Sequence, residues 1–597
     1  MAQRPPDTRE ADSWFSDEQL AQVEPSETGE TLLAPVPTRM VSSGEYMPHP
    51  QTEEQKRVEH RIKELADTAS KKLGMNRREF LSSSGGMAAC FLAMNDVYGR
   101  FFDVSRDELF EPEAHAAAGP PRNLFVVDDQ LHTTRGSLSL ATFNAISTLR
   151  AIAQGPTTPG FKTNPFNPTG LGDEFGNAWT PWNPALVGLP LAPDAFKVVQ
   201  FIKDMYFDSQ MTVGVLSNAP GSIFAPPGEV PRPPKNIGES LTAEILTAEQ
   251  TVAVRDFVNN ISSSQRLMAH GIFYPGSGNA YYLEHESEEF KPDSWKGYVA
   301  NNSAKVNDDP NSLMMRWRMD DEDVAYPSYA VVTKYQKKFR RSRPGFGTIC
   351  VHKGLSTNAE ALPQLGHPSD LPKAATDWPN LNFVIYHSCF RPGFWALNAL
   401  KDLRAGNMRE GVPNVLWTTE FAQLTGPHRN VYGEIGTTFA STVITFPSVT
   451  AHILGQLMKY KGADNIVFGS DSPWYGSPQW QIEALWRFQI PQEMRRRYGY
   501  PELTKTAKRK ILGLNSARIY GLQTSDGEHE NDGNEDNDDG RYNPVPADYV
   551  ARMSTQFKTL LEFPGYTTDN ISKMRETYHA MNVPRDNLRH GWVRVRR

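Results

Sequence analysis

The chain has 597 residues, 39% of them hydrophobic and 22% charged, which supports a large core and excludes a fibrous or wholly disordered protein. A formal net charge of -7 leaves no excess of basic groups, so no nucleic-acid partner is expected and a small-molecule substrate is. Three cysteines, Cys90, Cys350 and Cys389, exclude a disulfide framework, and no apolar run reaches the roughly 18 residues of a membrane span.

Residues 1–74 read as an N-terminal extension. Its first 50 residues, rich in Pro, Ser, Thr, Glu and Gln, cannot bury enough surface to offset ordering entropy, and the following stretch from Gln51 to Gly74 predicts a solvated helix with a glycine stop. Residues 75–121 form a distinct segment. In "MNRREFLSSSGGMAACFLAMN", Arg77, Arg78, Phe80 and Leu81 resemble a twin-arginine export signal, and "AHAAAG" (114–119) is a small-residue cleavage site of the matching type. The resemblance implies a twin-arginine translocase as partner and a periplasmic or extracytoplasmic location. The alternative is an amphipathic helix that contains Arg-Arg, in a cytoplasmic protein.

Residues 122–523 alternate between short runs rich in Val, Ile, Phe and Tyr and helix-like stretches. Strands are predicted at 124–129, 211–218, 268–275, 296–302, 347–352, 381–387, 430–436 and 465–471, with helices before the second, third and fifth. Near-continuous apolar strands joined by helical crossovers leave an α/β doubly wound sheet or a closed (β/α)8 TIM barrel, and the strand count and length favour the barrel. Two Pro- and Gly-rich segments, 155–193 and 218–238, follow the first two strands, where loops build a barrel's catalytic mouth; disordered insertions are the other reading. Residues 524–541 are an acidic linker, and residues 542–597 a C-terminal helical tail too small for its own core. Such a tail docks on the main domain or on a neighbouring subunit, which makes a homo-oligomer the expected form of the latter.

Polar groups gather where these strands end: Asp128, Asp129, Gln130 and His132 after the first, His352 and Lys353 after the fifth, His387 after the sixth, Asp471 after the eighth. Singly, each has a structural explanation. Together, neutral imidazoles and a carboxylate converging on one point are the ligand set of a catalytic divalent cation with an open coordination position.

At these residues the chain resembles the amidohydrolase superfamily, in the branch of amidohydrolase-related barrels that contains aminocarboxymuconate-semialdehyde decarboxylase and the resorcylate-type decarboxylases. The resemblance spans about residues 123–522 and is carried by "VVDDQLH", "ICVHKG", "FVIYHS", "NVYGEIG", "IVFGSDSPW" and "LTKTAKRKILGLNSARIYGL". It implies a zinc site, with manganese as the alternative, in which His132 is the second histidine of an HxH pair, His352 and Asp471 are ligands, and Asp471 and His387 are the catalytic groups. Gln130 stands where the family has its first histidine and supplies only a neutral amide oxygen. The implied activity is hydrolysis by a metal-activated water with Asp471 as acid/base. The alternatives are non-oxidative decarboxylation of an aromatic or unsaturated carboxylic acid and a metal-free binding barrel without catalysis. Lys353, Arg135 and Arg391 are candidates for binding a substrate carboxylate, with ordinary charge pairing as the other reading, and Trp474 is a candidate pocket wall.

Overall fold

The apolar runs become eight strands: β1 (Val127–Leu131), β2 (Val213–Leu216), β3 (Leu267–Ile272), β4 (Ser294–Tyr298), β5 (Thr348–His352), β6 (Asn382–Tyr386), β7 (Val431–Glu434) and β8 (Ile466–Val467). In this computed structural model they pair in sequence order, each neighbouring pair parallel. The ring closes where Asp129 N–H donates to the Phe468 carbonyl (2.9 Å), Asp471 N–H to the Gln130 carbonyl (2.9 Å) and His132 N–H to the Ser472 carbonyl (2.7 Å). The fold is therefore the expected (β/α)8 barrel. Alternate strand positions, including Val127, Val213, Val215, Met268, Cys350, Val384, Tyr432 and Val467, pack inward as one apolar cluster, as a filled barrel requires.

The structure describes residues 34–38, 40, 51–121, 123–134, 196–218, 245–262, 265–276, 279–299, 317–355, 363–391, 395–522, 589–590 and 593–594. Arg135, the 155–193 segment, all of the 218–238 segment but Asn218, the acidic linker and nearly all of the tail lie outside these residues.

Two strand boundaries differ from expectation in ways that matter. β1 runs on past its expected end at Asp129 to Gln130 and Leu131, because main-chain pairing with the β8 turn continues there. Its pairing register with β2 shifts between Asp128 and Leu131, a bulge of the kind that re-aims side chains at a barrel rim. β4 begins at Ser294 rather than Lys296, which puts Lys296 in mid-strand.

The segment ahead of the barrel is folded onto it. Helix α1 (Glu53–Leu73) opens with a reciprocal Thr52–Gln55 cap and closes at Gly74 in the left-handed conformation (φ 66°). Rather than being solvated all round, it buries Val58, Ile62, Leu65, Ala66 and Ala69, a stripe at helical spacing. After the short α2 (Arg77–Leu81), helix α3 (Ser84–Tyr98) is buried from Gly85 to Met94 and belongs to the main core cluster. Phe91 meets Phe102 (centroids 4.8 Å), and Phe102 meets Phe488 beyond β8 (5.7 Å). Arg77 pairs with Asp67 (3.3 Å).

A buried ionic cluster completes this attachment. Arg487 ends the helix after β8 and donates to Glu483 Oε1 (2.7 Å) and the Asp103 carbonyl (3.0 Å), and it pairs with Glu108 Oε2 (2.8 Å). His115, inside the "AHAAAG" stretch, lies 3.4 Å from Glu108 and 3.3 Å from Glu483. The three cysteines are free and buried, and no helix among the described residues is long and apolar enough to cross a membrane.

Candidate active site

The first two carboxylates of β1 are structural staples. Asp128 Oδ1 accepts from the Ser470 N–H (2.8 Å) and the Gln130 N–H (3.2 Å), and Asp129 Oδ2 accepts from the Ser516 hydroxyl (2.6 Å) in the closing helix. Burial pushes Asp128 up to about 7 and Asp129 up to about 8.

The next polar positions converge on Asp471. His132 Nε2 and the Gln130 amide nitrogen each lie 3.0 Å from Asp471 Oδ1, and the Thr437 hydroxyl donates to Asp471 Oδ2. Tyr475 in turn donates to Thr437 (3.0 Å). Asp471 has a left-handed backbone (φ 58°), as a sharp turn aiming its side chain back over the barrel demands. Burial opposes its ionisation, but the bond and charge of His132, with His387 and Thr437, hold it below the ordinary carboxylate range.

The other two histidines form a second group. His352 stacks on Tyr298 (centroids 4.7 Å, 13°) and meets the edge of His387 (4.7 Å, 74°). His387, Ser388 and Cys389 are three consecutive residues with positive φ (60°, 47° and 54°), a costly run for side chains of this size. Glu434 holds the run in place: its Oε2 accepts the His387 N–H (2.9 Å) and its carbonyl the Ser388 hydroxyl (2.7 Å). Burial pushes His387 down to about 3 and Glu434 well up, so the imidazole is neutral at ordinary pH. The charge of Asp471 favours protonation of His387 while those of Lys296 and His132 oppose it, each less than burial does.

Of the remaining candidates, Trp474 walls the site, its ring 5.8 Å from His132 and 5.3 Å from Phe196. Lys353 is elsewhere, buried with its ammonium on Asp370 (2.9 Å) and the Leu365 carbonyl (2.5 Å). Arg391 is exposed and lies over Trp417 (5.4 Å). Sequence reasoning passed over Thr437, Tyr386, His270 and Lys296. Lys296 carried a legible signal, a charge inside the strand "SWKGY", that a misplaced strand start concealed.

The divalent-cation site implied by the resemblance is not formed by these side chains as they stand. Beside the His132–Asp471 pair the third group is Gln130, whose Nε2 stands 3.0 Å from Asp471 Oδ1 and whose buried Oε1 has no hydrogen-bond partner, so it offers a cation only a neutral amide oxygen in place of an imidazole. Among the described residues, no group of three or more His, Cys, Asp or Glu surrounds a common point.

Residues 349–522, from β5 to the closing helix, match the family model described as amidohydrolase. No curated protein matches the chain. Among solved structures, it is similar to 5-carboxyvanillate decarboxylase from Sphingomonas paucimobilis (14% identity, 67% of this chain and 100% of that one, TM-score 0.34). It is also similar to an enzyme of the same name from Novosphingobium aromaticivorans, crystallised with manganese (11%, 68% and 99%, TM-score 0.36). A third is an uncharacterized TIM-barrel protein from Bordetella bronchiseptica (12%, 66% and 98%, TM-score 0.38).

Proposed function

We propose that the chain is a non-oxidative decarboxylase of an aromatic carboxylic acid, built on an amidohydrolase-type barrel. The observation that carries this reading is the engagement of both Asp471 oxygens, Oδ1 by His132 and Gln130 and Oδ2 by Thr437. A hydrolase needs this carboxylate to take a proton from an attacking water. Here the carboxylate is bonded to an imidazole, and the proton held between His132 Nε2 and Asp471 Oδ1 is available for delivery.

Delivery of that proton to the ring carbon bearing the carboxylate uses a pair of ring π electrons. The bond to the carboxyl carbon then breaks, its electron pair returns to the ring, and carbon dioxide leaves; solvent restores the proton to the His132–Asp471 pair. Trp474 and Phe196 offer flat apolar faces beside His132 against which an aromatic ring can lie.

The test is carbon dioxide release by the purified full chain from a panel of hydroxybenzoic and benzenedicarboxylic acids. Asp471→Asn and His132→Gln are each expected to lose about 10²–10⁴-fold in rate, the range of general acid–base catalysis. Cleavage of ester or amide substrates without any carbon dioxide from the acids would refute the reading.

A further inference from the structure

The small-residue, apolar run after Arg77 and Arg78 has the composition of an export leader, and its contacts give that composition another reason. A Cβ built on Gly85 would stand 2.7 Å from the Leu109 carbonyl oxygen and 2.8 Å from the Phe80 ring, and one on Gly86 would meet the Leu81 carbonyl. The two glycines therefore let the first turn of α3 close onto α2 and onto Leu109, an approach that a larger residue blocks. Phe80 is itself sealed in the core, so the apolar half of the arginine motif is not presented to a receptor in the folded chain.

The segment is held from both sides. Upstream, Arg61 of α1 donates to Asp96 near the end of α3 (2.8 Å), which joins the helices before and after the arginines into one unit. Downstream, the Gln489 N–H donates to the Phe101 carbonyl (2.7 Å) and the Asp103 N–H to the Arg487 carbonyl (2.8 Å). The second bond supplies a partner for the final carbonyl of the helix Gln479–Arg487, which follows the turn that carries Asp471. The stretch that resembles a cleavage site is equally committed: Pro112–Ala118 is helical, His115 lies between Glu108 and Glu483, and Gly119 and Pro120 are buried. Proteolysis concentrates instead where the backbone is exposed and opens locally.

We infer that residues 75–118 are a permanent clamp of the mature protein, joining α1 to the helix after β8, and are not removed as an export leader. The clamp stands or falls independently of the reaction assigned to the barrel. Stripping it would uncover Phe488 and leave Arg487 without Glu108 and the Asp103 carbonyl.

A site-specific protease sequence inserted at the exposed Asn123 lets the full chain fold first and be nicked afterwards. The N-terminal piece is expected to stay with the barrel through size-exclusion chromatography in native buffer and to come away only as the barrel itself unfolds in urea. A barrel that loses the piece and then aggregates, or melts lower by on the order of 10 °C, upholds the clamp as well. A piece that comes away from a barrel whose melting stays within error of the uncut chain overturns it. The second measurement needs no insertion: the intact mass of C-terminally tagged chain made in a bacterium with an active twin-arginine pathway. Residues 75–118 are expected to be retained in every cell fraction that contains the protein, and folded protein beginning at Gly119 overturns the inference.

Discussion

The Gln130 side-chain amide donates to Asp471 Oδ1 across 3.0 Å, from the sequence position where an HxH motif has its first histidine. A neutral amide at this position is a weaker cation ligand than an imidazole. Gln130→His is therefore expected to raise the affinity for manganese or zinc by about 10–100-fold, the scale on which a single group near a metal acts. Metal content after dialysis against a graded chelator checks this. Equal retention by variant and wild type would show that Gln130 is not what limits the site.

Arg487 is a buried cation shared by Glu108 on the N-terminal segment and Glu483 on the barrel. Arg487→Met leaves two buried carboxylates without the guanidinium and is expected to cost about 3–5 kcal/mol, whereas adding Glu108→Gln and Glu483→Gln recovers most of it. Urea unfolding of the single and triple variants measures both. The same single variant should make the 75–118 segment the first site of proteolysis, since this cluster and the Phe91–Phe102–Phe488 contacts attach it. A midpoint within error of wild type would mean that the attachment is carried by the apolar contacts alone.

The barrel was legible because its strands are buried on both faces and read as apolar runs whatever their neighbours do. Strand ends were less legible: β1 continues past Asp129 to Gln130 and Leu131 by main-chain pairing, to which side-chain pattern is blind. The rim residues His132, His352, His387 and Asp471 stood out as costly groups at the ends of apolar runs. What they do to one another was not readable, since the roles of Gln130 and Thr437 depend on which atoms meet at Asp471, 341 residues from the one and 34 from the other. Lys353 shows the limit from the other side: adjacent to a motif in sequence, it is committed to Asp370. The helix around Arg77 and Arg78 resembles an export signal by composition, and only tertiary contacts reveal that its apolar continuation is core.

Glu286 gives a pH dependence away from the site. Its Oε2 accepts the Ile272 N–H (2.8 Å), and burial, outweighing that bond, pushes it from 4.5 up to about 8. Between those values the folded chain keeps a proton that the unfolded chain has released. Its contribution to stability is thus complete below about 4.5 and is lost as pH rises to about 8, where it levels off. Thermal unfolding from acid to mildly alkaline pH should fall more steeply for wild type than for Glu286→Gln. Parallel curves would show that the carboxyl titrates normally in the fold.

Gly436 opens the helix after β7, and its N–H donates to Glu434 Oε1. A Cβ built there would stand 2.5 Å from Glu434 Oε1 and 2.9 Å from Gln130 Oε1, so Gly436→Ala must displace the carboxyl that holds the His387 backbone. Overpacking of this kind costs about 1–3 kcal/mol, and the strained 387–389 run would lose its main support. The expected outcome is a lower melting temperature together with a loss of carbon dioxide release larger than instability alone explains at temperatures where the variant is folded. Gly436→Ala with wild-type melting and wild-type turnover would show that Glu434 can move aside without disturbing His387.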